Sequence, residues 1–123
     1  MTITEFAVFA AAGYFAVFGA GFVFRPILVQ RFALRWTDPA GKTEVRCYYG
    51  AVSWALAGFL VYLVLEDLAT QALTGVLFLA AAVFTMRVIG AIVDGGSAHA
   101  YTRMAIQVEG FFVAAVAAIR FLA

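Results

Sequence analysis

The hydrophobic positions of this 123-residue chain fall into four long runs, and the charged positions gather between them. Glu5 and Arg25 bracket 19 uncharged residues, Arg46 and Glu66 another 19, and Asp67 and Arg87 another 19, after which the apolar character continues to Asp94. From Met104 to Ala123 the run is broken only by Gln107, Glu109 and Arg120. A helix needs roughly 20 apolar residues to cross about 30 Å of hydrocarbon. The pattern therefore predicts spans at about 6–24, 47–65, 72–93 and 104–122. A soluble helical bundle would instead show a polar stripe along each helix. Residues 6–24 offer only Gly13, Tyr14, Gly19 and Gly21 as relief. The expected fold class is all-α: a polytopic membrane protein whose single domain, 1–123, is a four-transmembrane-helix bundle.

Composition sharpens this picture. Hydrophobic residues make up 66% of the chain, against roughly 45–50% in an ordinary soluble domain. The net charge is +1, and the one basic segment is explained by topology, so no nucleic-acid partner is expected. A lone cysteine, Cys47, excludes an intramolecular disulfide and makes no cysteine metal site by itself. Residues 1–5 carry no Lys or Arg, so the first helix is expected to be retained rather than cleaved as a signal peptide.

Lysine and arginine in short loops set orientation. Segment 25–46 holds Arg25, Arg31, Arg35, Lys42 and Arg46, and segment 94–103 holds Arg103. The opposite side has only Arg120. This asymmetry places loops 25–46 and 94–103 in the cytoplasm and both termini outside, in the periplasm if the source is a Gram-negative bacterium. Trp36, Tyr48, Tyr49 and Tyr101 then form an aromatic belt at the cytoplasmic interface, with Tyr62 near the other. Residues 27–36 mix apolar side chains with Arg31 and Arg35. They read either as a short helix lying on the inner leaflet or simply as the topology signal. Residues 37–42 read as a turn.

Helices in lipid associate by close packing of small residues. Ala12, Ala16 and Ala20, with Gly13 and Gly21 beside them, are the expected contact face of the first span, and Gly110, Ala114 and Ala118 that of the fourth. Phe15, Phe18 and Phe22 form a bulky stripe expected to face lipid or a partner.

Charges inside hydrocarbon are costly and usually face a partner or a functional cavity. Arg87 lies seven residues before Asp94, about 10 Å along the same face, and Glu109 lies six residues after Arg103, about 9 Å in from the same side. The third and fourth spans are antiparallel and closely connected, so Arg87 and Glu109 are expected to meet. Gln107 is near enough to contribute. Glu44 and Arg46 open the second span on the same side, followed by Tyr48, Tyr49 and Gly50. The candidate polar cluster is therefore Glu44, Arg46, Tyr49, Arg87, Asp94 and Glu109. Three readings stand open: a salt-bridged latch, a site for an anionic or amphiphilic ligand such as a lipid headgroup, and a proton or ion relay through Glu109. His99 is read as a solvated loop residue rather than a metal ligand with Asp94, and Cys47 as packing at an interface. No catalytic constellation, metal cluster or cofactor site is found, so no cofactor is expected.

Two motifs carry a resemblance. Glu44-Val45-Arg46-Cys47-Tyr48-Tyr49-Gly50 fits E-x-R-x-x-Y-G, and Arg87-Val88-Ile89-Gly90-Ala91-Ile92-Val93-Asp94-Gly95 fits R-x-x-G-x-x-x-D-G. Together with Gly21, Arg25-Pro26 and Glu109, they resemble a widespread uncharacterised bacterial family of small four-transmembrane-helix proteins, over roughly residues 21–115. Cys47 stands where that pattern commonly has Ala, and Ala51 where a second Gly is common. The resemblance implies a four-helix inner-membrane fold and singles out the same charged residues. It supplies no chemistry. The expected function is that of a small non-enzymatic accessory or interaction subunit, partnered by membrane lipid and by another membrane protein or a second copy of itself. The alternative is a binding module or transporter for a lipid or small amphiphile that uses the intramembrane Arg/Glu cluster.

Overall fold

A computed structural model describes residues 1–95 and 99–123. It contains no strand among the described residues. In chain order the elements are α1 (Ile3–Phe24), a 3-10 turn (Pro26–Phe32), α2 (Pro39–Val45), a π-helical turn (Arg46–Ala51), α3 (Val52–Leu65), α4 (Ala69–Val93) and α5 (Ala100–Leu122). α2, the π turn and α3 run on as one rod, Pro39–Leu65. That rod, α1, α4 and α5 are each long and apolar enough to cross a membrane. The chain is an all-α, multi-pass membrane protein.

Every rod begins earlier than its apolar run predicts, and polar caps account for three of the four starts. Glu5 N–H donates to Thr2 Oγ1 at 3.1 Å while Thr2 N–H donates to Glu5 Oε1 at 3.3 Å, a reciprocal capping box that starts α1 at Ile3. Asp38 accepts from Ala40 N–H at 2.8 Å, with Pro39 preset for the first helical position. Residues 39–42, expected as part of a turn, are therefore helical. His99 Nδ1 accepts from Tyr101 N–H at 3.1 Å and starts α5 at Ala100. His99 is exposed, as expected, and it also caps a helix. Gly96, Ser97 and Ala98 of the same loop lie outside the described residues. Of the two readings of 27–36, a short helix forms, tighter than an α-helix: a 3-10 turn, Pro26–Phe32, that stops at Ala33 with φ of 62°.

The chain divides into two compact units, one of residues 8–67 and one of residues 1–7 with 68–123. In the first, α1 and the rod are antiparallel and meet at three successive levels. Arg46 Nε donates to Val23 O at 3.1 Å, Gly50 faces Gly19, and Trp54 Nε1 donates to Ala16 O at 3.1 Å. The middle level is a backbone-to-backbone approach. A Cβ on Gly19 would stand 2.8 Å from Gly50 O and 2.6 Å from Trp54 Cδ1, and a Cβ on Gly50 would stand 2.5 Å from Val23 Cγ2. The expected contact face of α1 holds at Ala12, which is buried, and at Ala16, whose carbonyl takes the bond from Trp54; Gly19 is added to it, and Gly13 is exposed. The phenylalanine stripe is corrected. Phe22 is buried, and it packs with Phe18, with Phe32 of the 3-10 turn and with Tyr49 at centroid distances of 4.7, 5.5 and 5.4 Å. The turn folds back onto α1 and gives the stripe a cover.

In the second unit α4 and α5 are antiparallel. Gly110 faces Phe84, whose ring would lie 3.1 Å from an added Cβ. Ala114 and Ala118, expected beside Gly110 on one contact face, are exposed. Leu73 and Val76 of α4 and Ala105 and Val116 of α5 are buried.

Glycine substitutions separate close approach from mere helix propensity. Gly19→Ala and Gly50→Ala overpack the crossing and are expected to cost about 1–3 kcal/mol each. Gly13→Ala and Gly58→Ala meet nothing within 4 Å and should be neutral or stabilising, since Gly costs roughly 0.5–1 kcal/mol in a helix interior. Thermal unfolding in detergent reads the difference. Equal effects in the two pairs would contradict the crossing.

Candidate functional site

The strongest polar arrangement inside the spans is the one between α4 and α5. Arg87 Nε donates to both carboxylate oxygens of Glu109, with Oε2 at 2.9 Å, and the two side chains are 29% and 25% exposed. Because α5 starts at Ala100, Glu109 lies about 14 Å inside it rather than about 9 Å. Arg87 also stands over the Tyr101 ring, with Cζ 5.6 Å from the centroid. Tyr101, Ala105 and Glu109 occupy one face of α5 at four-residue spacing, with the small, buried Ala105 in the middle. A carboxylate on one side and an aromatic ring on the other therefore replace much of the hydration that a guanidinium loses in hydrocarbon.

A second tie joins the same helices farther along. Arg120 Nε donates to Thr74 Oγ1 at 2.6 Å, and that hydroxyl donates to Thr70 O at 2.9 Å. Arg120 also stacks over Phe121, 5.2 Å from its centroid. From Arg87 back to Thr74 is about 20 Å along α4, so the two ties are spaced over much of a bilayer's hydrocarbon thickness. Both fix the same antiparallel register, as does Gly110 against Phe84 between them.

The remaining candidates belong to the other unit. Arg46 reaches Val23 O, one of the last carbonyls of α1 and without a partner inside that helix, so a cation sits at the negative end of the helix dipole. Tyr49 packs edge-on against Phe22 and Phe32. Glu44 is exposed and lines an open apolar groove of about 310 Å³, together with Val29, Arg35, Trp36, Val45 and Tyr48. The π turn that carries Arg46, Tyr49 and Gly50 shifts the backbone ladder by one residue, and Ser53 Oγ donates to Tyr49 O at 2.8 Å beside it. Ser53 is the buried polar residue of this unit and is satisfied by that bond. The E-x-R-x-x-Y-G residues thus have local duties: Arg46 ties, Tyr49 covers the phenylalanines and Gly50 lets α1 approach.

Of the six candidates, the structure joins Arg87 with Glu109. Asp94 ends α4, where its backbone N–H donates to Gly90 O at 2.8 Å, and its side chain is exposed. Gln107 is exposed, as is Cys47. Among the described residues no group of three His, Cys, Asp or Glu side chains is placed to hold a metal. The sequence reading missed Thr74–Arg120, Arg46–Val23 O and Trp54–Ala16 O. The first was within reach: once Arg87 meets Glu109, antiparallel register carries Arg120 to the level of Thr74. The other two end on backbone carbonyls, which leave no mark in a sequence.

A double-mutant cycle measures the first tie. Arg87→Gln and Glu109→Gln should each cost about 1–3 kcal/mol in detergent or mixed-micelle unfolding, and the double variant should cost clearly less than their sum. Thr74→Val should cost about 1 kcal/mol through the lost acceptor for Arg120. Strict additivity of Arg87→Gln and Glu109→Gln would show that the pair carries no coupling.

Comparison with protein-family models finds no match to this chain, and comparison with curated proteins and with solved structures finds none either.

Proposed function

We propose that this chain is a small non-enzymatic accessory or interaction subunit of a bacterial inner membrane, which assembles with another membrane protein or with a second copy of itself. One observation carries this reading: the charges deepest in the spans, Arg87 and Glu109, are spent on holding the chain's own helices. Arg87 is bound by Glu109, and Arg120 by Thr74. Arg87's engagement weighs against the alternative in which the Arg/Glu cluster holds a lipid or small amphiphile. The outer faces remain, and there Gly13, Gly58 and Gly75 meet nothing within 4 Å of an added Cβ, so a neighbouring helix has room to approach the backbone. Membership of the small four-helix family that the two motifs resemble belongs to the same proposal and rests on those motifs.

The basic excess in loops 25–46 and 94–103 supports a cytoplasmic location for both, with the two termini outside. In a Cys47→Ser background, an impermeant maleimide applied to intact cells should label Glu66→Cys and leave Lys42→Cys unlabelled. The reverse pattern would invert the topology.

Photocrosslinking tests the assembly role. A photoreactive residue at Phe78, 74% exposed on α4, or at Phe111, 78% exposed on α5, should give one reproducible protein adduct in native membranes. Its mass should be that of a dimer or of one defined partner. Adducts with lipid alone at both positions would remove the proposal.

A further inference from the structure

The groove beside the π turn has a chemistry that the assembly role leaves unused. Its walls are Val29, Leu34, Trp36, Val45, Tyr48 and Tyr49, and its rim carries Arg35 and Glu44. Gly41 makes the groove possible: Trp36 lies against α2 so closely that a Cβ on Gly41 would stand 2.5 Å from Trp36 Cβ. The groove belongs to the segment that joins the end of α1 at Phe24 to the start of the next span at Pro39. That places it at the edge of the hydrocarbon, where Trp and Tyr side chains are at home.

Charge selects the occupant. Segment 25–46 carries Arg25, Arg31, Arg35, Lys42 and Arg46 against Asp38 and Glu44, an excess of three positive charges. Arg46 is used on Val23 O, whereas Arg25, Arg31, Arg35 and Lys42 are exposed; Arg35 lines the groove, and Lys42 follows its lining residue Gly41 in the chain. An apolar slot edged by Arg35 and Glu44, in a segment with this cationic excess at the membrane edge, fits a molecule with an apolar tail and an anionic head. The volume of about 310 Å³ is at the low end for a ligand site, enough for part of one chain and not for a whole lipid.

We infer that this groove is a binding site for an anionic phospholipid, with a stretch of one acyl chain against Trp36, Val45 and Tyr48 and the headgroup phosphate against Arg35 and Lys42. The site is independent of the assembly role: it uses neither the α4–α5 ties nor the outer faces of those helices.

Trp36 is its own reporter. The protein, as its Trp54→Phe variant, is reconstituted in vesicles that mix phosphatidylcholine with phosphatidylglycerol, with bromine on the chains of one lipid or the other. Brominated phosphatidylglycerol should quench Trp36 in preference to brominated phosphatidylcholine at equal mole fraction. The preference should fall by about fivefold or more in Arg35→Gln/Lys42→Gln, where both exposed cations are lost. Val45→Phe fills the slot while leaving every charge in place, and should abolish the preference as well. If Trp54→Phe misfolds, the quenched emission lost in Trp36→Phe gives the same quantity by subtraction. Equal quenching by the two lipids in the parent protein overturns the site. Preference retained in Val45→Phe also overturns it, because the attraction would then be diffuse and owe nothing to the groove. Phosphatidylglycerol preference with no protein adduct at Phe78 or Phe111 would uphold this site and remove the assembly role; the opposite pair of results would do the reverse.

Discussion

Hydrocarbon offers no water, so a polar group inside a span must find its partner within the chain or reach the membrane edge. The ion pair between Arg87 and Glu109 answers that constraint, and the register of α4 against α5 follows from it. An arginine there without its carboxylate would be an exposed charge in lipid, and a glutamate without its arginine would be the same with the opposite sign. The two helices therefore have one alignment in which both charges are satisfied. That alignment also brings Arg120 to Thr74 and Gly110 to Phe84.

Apolar contact alone would not choose this alignment. Lipid tails are as apolar as Leu or Val, so burying a seam of aliphatic side chains between helices gains little beyond packing. The faces of these spans repeat Ala, Val, Leu and Phe, and a slip by one turn would keep most such contacts. Polar ties and backbone approaches do not survive a slip. α1 and the Pro39–Leu65 rod show the same division of labour. Arg46 and Trp54 each end on a carbonyl of α1, and Gly19 with Gly50 allows those bonds by bringing the backbones together. The π turn belongs to this arrangement, since it carries Arg46 and Gly50 on the rod, with Trp54 one turn beyond it.

The spans were legible because hydrocarbon thickness demands a run length that few other structures need. The Arg87–Glu109 pairing was legible for a related reason: two opposite charges in neighbouring spans have few other places to go. The helices start earlier than the apolar runs because Thr2, Asp38 and His99 cap three of them while lowering the local hydropathy. The packing faces were misread at Gly13, Ala114, Ala118 and Phe22. Small residues permit close approach without requiring it, and a large aromatic is as stable under a covering turn as in lipid. The cover over Phe22 is the 3-10 turn, which ends at Ala33 in a left-handed backbone conformation that Ala itself does not announce. The groove at Trp36 was invisible for the same reason, because it exists through the approach of Trp36 to Gly41.

With the deepest charges committed to the architecture, selectivity for partners is left to the outer faces and to the cationic edge of the first loop. The central claim is that the charge pair sets the α4–α5 register, and exchanging the charges tests it most directly. Arg87→Glu and Glu109→Arg should each destabilise the protein in lipid, and the exchanged double variant should recover most of the loss. A double variant as unstable as the worse single, or singles as stable as the parent, would contradict it.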